Sequence, residues 1–237
     1  MSKAQAAASS LRGSTSHTVP AEGLKPLAPF AAKLKVLASV AVPSPAQGSA
    51  LVFALAGSVL DYEGDCIVNA ANSGGITGFG IDELVNRAGG IEMKDARREL
   101  NGIPTGCAKS TPGFGMKRVK FVVHAVGPVF RDNAMSADPV DVKYHQLRCA
   151  YHAAMVEAAR LGCRDIAFCL LSAGVFRGRE PLANVIQAGI DGITAYFARC
   201  ATISSLRQAS LVAFAPEEQA ALADCMRRLN QDVLQRV

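Results

Sequence analysis

The chain has 237 residues, half of them apolar, which is enough to bury one sizeable core with residues to spare for a tail. Every apolar stretch is broken by Gly, Pro or charge before it reaches the roughly 18 residues of a membrane-spanning helix, which argues against a membrane protein of that kind. The net charge of +5 sits mostly at one end, where Lys3, Arg12, Lys25, Lys33 and Lys35 face Glu22 alone, so the rest of the chain has no net electrostatic reason to hold a nucleic acid.

Residues 1–48 are rich in Ala, Ser and Pro and read as a flexible tail, with a short helix conceivable over 29–42. The same stretch is acid-poor and Ser-rich, as an organelle-targeting segment would be. The folded domain is expected over 49–237. Within it, residues 51–56 and 66–70 read as short apolar strands, and 81–88 and 93–100 as two helices. Residues 119–126 form a β-branched strand, 144–161 an amphipathic helix, 165–171 a buried strand and 182–198 a helix. A strand over 210–214 and a helix over 217–234 complete the series; Leu222, Cys225, Met226, Leu229 and Val233 share one face of that last helix. This alternation predicts a three-layer α/β/α domain around a mixed, mostly parallel sheet, with ligands at the carboxyl ends of the strands. The seven cysteines are scattered without a C-x-x-C pair or metal-ligand spacing to the four histidines. They read as reduced thiols of an intracellular protein, and no metal is expected.

Two segments carry chemistry. The strand Ile67-Val68-Asn69-Ala70 runs into Ala71-Asn72-Ser73 and a Gly-rich loop ending Gly78-Phe79-Gly80, after which a helix opens at Ile81-Asp82. Glycines let backbone approach a diphosphate, and a helix N-terminus offers unpaired N–H groups to it. A carboxamide at a strand end can bond a sugar diol. The second segment is Ser172-Ala173-Gly174-Val175-Phe176, a small-residue turn after a buried strand and a nest suited to phosphate oxygens. On spacing alone each is also compatible with an ordinary strand-to-helix turn.

Together with Gly57, the Val-Asn-Ala-Ala-Asn run, Pro104-Thr105-Gly106-Cys107-Ala108-Lys109, Val123-His124-Ala125-Val126-Gly127-Pro128 and Leu171, these segments resemble the macrodomain family, in order, from about residue 51 to 229. The resemblance implies binding of ADP-ribose and of mono-ADP-ribosylated proteins, without a cofactor. Asn72 matches the asparagine on the distal ribose, Gly78, Phe79 and Gly80 the loop over that ribose and the diphosphate, and Ser172 to Phe176 the second diphosphate loop. Phe214 matches an aromatic against adenine, or is an ordinary core residue. Asn69 and His124 read as structural rather than ligand-contacting. The hydrolase branch resembling MacroD-type enzymes has an aspartate at Asp82, where it would help position the attacking water; a plain helix-N-terminal charge is the alternative.

Departures from the pattern sharpen the expectations. Ser58 stands where the family usually has an adenine-binding aspartate. Phe79 replaces a glycine and would narrow the ribose site. Asn86 stands at a place often held by histidine, and Arg177 replaces a glycine of the second loop. The expected activity is release of mono-ADP-ribose from proteins. A non-catalytic reader and a deacetylase of O-acetyl-ADP-ribose are the alternatives. The expected compartment is cytoplasmic or nuclear, with organelle import through the N-terminal segment as a further option.

Overall fold

Parallel strands buried on both faces should be nearly continuous apolar runs, and the central strands of this chain are. The computed structural model describes residues 26–27, 32–75, 78–131, 138–200 and 204–235. Its elements are strands β1 (Lys35–Ser44), β2 (Gly48–Ala56) and β3 (Gly64–Ala70), helix α1 (Ile81–Glu99), strands β4 (Ala108–Pro112) and β5 (Val119–Ala125), and helix α2 (Val140–Arg160). Strand β6 (Asp165–Cys169), helix α3 (Leu182–Arg199), strand β7 (Gln208–Ala213) and helix α4 (Pro216–Gln235) follow.

The seven strands form one sheet in the order β1-β2-β7-β6-β3-β5-β4. The five inner strands are parallel, and each edge strand runs antiparallel to its neighbour. Alternate residues enter two cores. Val52, Ala54, Cys66, Val68, Val123 and Ala125 pack with α2, α3 and α4. Phe53, Leu55, Ile67 and Val122 pack on the other face with Val85 and Met93 of α1. The sheet is thus covered on both sides, in the three layers that the alternation predicts.

The N-terminal boundary differs from the expectation. Residues 35–44 are neither tail nor helix: they form β1, paired with β2 from Lys35↔Ala56 to Ser44↔Gly48. Val40 and Val42 are buried at period two, each stabilising the fold by about 1.5–3 kcal/mol. The Ala, Ser and Pro content of the stretch masks this alternation. Leu27 also donates its N–H to Gln208 Oε1 at 2.9 Å, so the domain reaches well upstream of residue 49. The tail and targeting readings rest on residues 1–25 and 28–31, which lie outside the described residues.

Two smaller differences have simple causes. The helices expected at 81–88 and 93–100 are halves of α1, broken at Gly90, whose φ of 81° only glycine adopts readily. β4 has no sequence signal because it is five residues long and includes Lys109 and Pro112.

Candidate functional site

The sheet order decides which loops meet. β2, β7, β6 and β3 are successive parallel neighbours, so their carboxyl ends lie along one edge. Ser58 follows β2, Phe214 follows β7, Ser172 to Phe176 follow β6, and Asn72 to Gly80 follow β3. At about 4.8 Å per strand, the four loops span roughly 14 Å. Every ligand-contact position expected from sequence lies on this edge.

At the β2 end, Gly57 has a φ of 136°, and a Cβ there would stand 2.7 Å from Leu34 Cδ2. Ser58 Oγ accepts from Leu60 N at 3.3 Å and caps a short 3-10 turn. Phe214 is 75% exposed, although its backbone is fixed: its N–H donates to Glu218 at 3.0 Å and its carbonyl accepts from Gln219 at 2.9 Å. This exposure rules out an ordinary core role.

In the β6 loop, Ser172 is held at a φ of 57°, and its buried hydroxyl donates to Pro128 O at 2.8 Å. Ala173 is buried, Gly174 is exposed with open space beside its Cα, and Val175 is 71% exposed. The half-buried Phe176 accepts from Phe130 N at 2.7 Å. Arg177 does not extend freely into solvent. It donates to Ala173 O at 3.1 Å and Glu180 O at 2.9 Å, bracing the turn from behind.

The β3 loop is anchored from below. Gly78 N donates to Asp82 Oδ2 at 2.5 Å. A Cβ on Gly78 would lie 2.8 Å from Asp82 Oδ2 and 3.2 Å from Asn72 Nδ2, so only glycine brings loop, helix and Asn72 this close. Phe79 is 94% exposed. Ile76 and Thr77 lie outside the described residues.

Asp82 is placed differently from the expectation of a group beside the attacking water. It is 2% exposed. Its Oδ1 accepts from Arg97 Nη1 at 2.6 Å and from Asn69 Nδ2 at 2.5 Å, and its Oδ2 from Gly78. Asn86 belongs to the same cluster, its Oδ1 accepting from Arg97 Nη1 at 2.8 Å. Arg97 is the residue that the sequence reading misses. It sits in a charged run, Lys94-Asp95-Ala96-Arg97-Arg98-Glu99, that looks like a solvated helix face. The available signal was position: Asp82, Asn86, Gly89, Met93 and Arg97 are spaced along one stripe of α1.

Asn69 and His124 are fully buried in the sheet. With Asn69 Nδ2 also 3.1 Å from His124 Nδ1, that nitrogen is the acceptor, and Nε2–H faces Thr111 Oγ1 at 3.0 Å. Burial, reinforced by the Arg97 charge, pushes the imidazole down to about 3, so His124 is neutral at physiological pH. Among the described residues no group of three or more His, Cys, Asp or Glu side chains is placed to hold a metal ion, and no helix is long and apolar enough to cross a membrane. A cavity of about 240 Å³, lined by Val59, Tyr62, Ile67, Met116 and Val119 among others, lies at the opposite ends of β3 and β5. It is not part of this edge.

A profile of the Macro domain family matches residues 68–187, half of the chain. The chain belongs to the Macro domain family. A Macro domain-containing protein of Cupriavidus necator is 36% identical over 139 residues, 56% of this chain and 76% of that protein. The ADP-ribose glycohydrolase MACROD2 of Xenopus laevis is 36% identical over 130 residues, but this Macro domain chain spans only 30% of its length. Among solved structures, the Trypanosoma brucei macrodomain in complex with ADP-ribose superposes with a TM-score of 0.63 at 26% identity, covering 73% of this chain and 68% of that one. The Oceanobacillus iheyensis macrodomain with ADP gives 0.70 at 20% identity, covering 84% and 99%, a likeness of fold.

Proposed function

We propose that this Macro domain binds ADP-ribose along the strand edge and releases mono-ADP-ribose from modified proteins. The observation that carries the reading is the order of the loops. An exposed aromatic ring at Phe214 suits adenine, the Ser172–Phe176 turn suits the diphosphate, and Asn72 beside the Gly-rich loop suits the distal ribose, in the order in which those groups follow one another in ADP-ribose. Ser58 lies on the adenine side, but its hydroxyl already accepts a backbone N–H, so stacking on Phe214 contributes more there than Ser58. Two relatives agree with this assignment: the Trypanosoma brucei macrodomain, solved in complex with ADP-ribose, and the ADP-ribose glycohydrolase MACROD2 of Xenopus laevis.

Cleavage would break the bond between the anomeric carbon and the protein side chain through a sugar cation, with water adding to that carbon and its proton passing to the departing side chain or to solvent. Backbone N–H groups of the two loops would hold the diphosphate, whose negative charge favours that cation, and Asn72 would orient the ribose. Asp82 contributes from behind, through Gly78, because both of its oxygens are already engaged within the protein.

That same burial favours a second reading, a reader that binds ADP-ribosylated partners without cleaving them. Deacetylation of O-acetyl-ADP-ribose would use the same edge. Incubation with an auto-mono-ADP-ribosylated protein separates the readings. Loss of label with equal release of free ADP-ribose supports the hydrolase. Tight binding without release on any such substrate leaves the reader, and no binding of ADP-ribose overturns both.

A further inference from the structure

Arg97 is 1% exposed, and a guanidinium is expensive to remove from water unless its partners are well placed. Its Nη1 reaches Asp82 and Asn86, while its Nε and Nη2 have no partner among the described residues. Both groups that it contacts belong to its own helix, and one of them leads out of it. From Arg97 Nη1 the contact runs to Asp82 Oδ1 and from Asp82 Oδ2 to Gly78 N, and the Gly78 backbone passes so near the Asn72 carboxamide that a Cβ there would stand 3.2 Å from its Nδ2. The backbone of Arg97 also lies under the loop, since a Cβ on Gly75 would stand 3.8 Å from Arg97 O.

We propose that Arg97 is a positioning residue that sets selectivity for the distal ribose. It fixes the Asp82 carboxylate, which in turn fixes the Gly78 N–H and so the end of the Gly-rich loop beside Asn72. This rests on the ADP-ribose reading of the edge. The adenine contact after β7 and the share of the diphosphate held by the β6 turn do not pass through this chain of contacts, so most of the grip on ADP is independent of it. Disturbing Arg97 therefore weakens ADP-ribose, which has the distal ribose, more than ADP, which lacks it.

The test is calorimetry of the full chain with ADP-ribose and with ADP, on wild type, Arg97→Met and Arg97→Lys. Arg97→Met is expected to lose about tenfold in ADP-ribose affinity with a much smaller change for ADP, and Arg97→Lys to recover part of the loss. Equal losses for the two ligands, or none, overturn the proposal. If Arg97→Met does not fold, amide exchange of Gly78 in wild type and Arg97→Lys decides instead. The proposal requires a protected amide in wild type and faster exchange in the variant, and exchange at the rate of a free loop in both overturns it. Failure of wild type to bind either nucleotide overturns the ADP-ribose reading, and the Gly78 exchange still decides whether Arg97 positions the loop.

Discussion

Gly78 and Asp82 hold one another across the start of α1, with the backbone N–H of the glycine on Oδ2 of the aspartate at 2.5 Å. The loop and the helix it introduces therefore form one unit, and substitutions on either side should be felt on the other.

Gly78→Ala tests this unit. The added methyl would enter the space held by Asp82 Oδ2 and Asn72 Nδ2. ADP-ribose affinity should fall by about tenfold or more. Gly174→Ala is the contrast: the site is open and the backbone φ is negative, so the melting temperature should stay close to wild type while the methyl obstructs the diphosphate. Undiminished ADP-ribose binding by Gly174→Ala would remove the second loop from the site.

Asp82→Ala leaves the Arg97 guanidinium buried without its carboxylate, and a broken buried pair costs about 3–5 kcal/mol. Urea unfolding should show most of that loss, and Asp82→Ala/Arg97→Met should recover part of it. A single variant as stable as wild type would mean that the pair contributes little.

His124 gives the fold a defined response to acid. Its folded pKa of about 3 lies below the ordinary 6.5, so the unfolded chain takes up the proton first. The full contribution is present above pH 6.5 and is lost as pH falls toward 3, at up to about 1.4 kcal/mol per pH unit. His124→Gln, which cannot charge, should flatten that part of the stability profile between pH 6 and 4. Parallel profiles for the two proteins would show that acid sensitivity comes from the carboxylates alone.

Phe214→Ala removes an exposed ring and should change stability by less than about 0.5 kcal/mol. ADP and ADP-ribose should weaken together, because both carry adenine. Asn72→Ala should weaken ADP-ribose alone. The reverse pattern would turn the ligand end for end.

Truncation tests the boundary. Removing residues 1–44 deletes β1 with Val40 and Val42 and should lower the melting temperature sharply, whereas removing residues 1–24 leaves β1 and the Leu27 contact in place. Equal stability of the two shortened chains would contradict the pairing of β1 with β2.

The inner strands were legible because both of their faces are buried and their residues are apolar without interruption, as in Ile67-Val68 and Phe121-Val122-Val123. β1 was not, since one side of it is only partly buried and its pattern is diluted by Ala and Ser. The loops of the candidate site could be read from Gly, Asn and Ser content at strand ends. The state of Asp82 could not, because Arg97 lies 15 residues away and only the helical path, with its break at Gly90, brings the two side chains together.

The two outer strands have a consequence for how the molecule meets copies of itself. β1 carries a bulge between Val36 and Ala38 and has Pro43 near its end, while β4 is short and finishes on Pro112. A proline offers no N–H to an incoming strand, and a bulge turns the remaining amides out of line. The hydrogen-bonding rims are poor templates for another strand, so self-association of this domain would have to proceed through side chains on its helical faces or loops rather than by continuing the sheet.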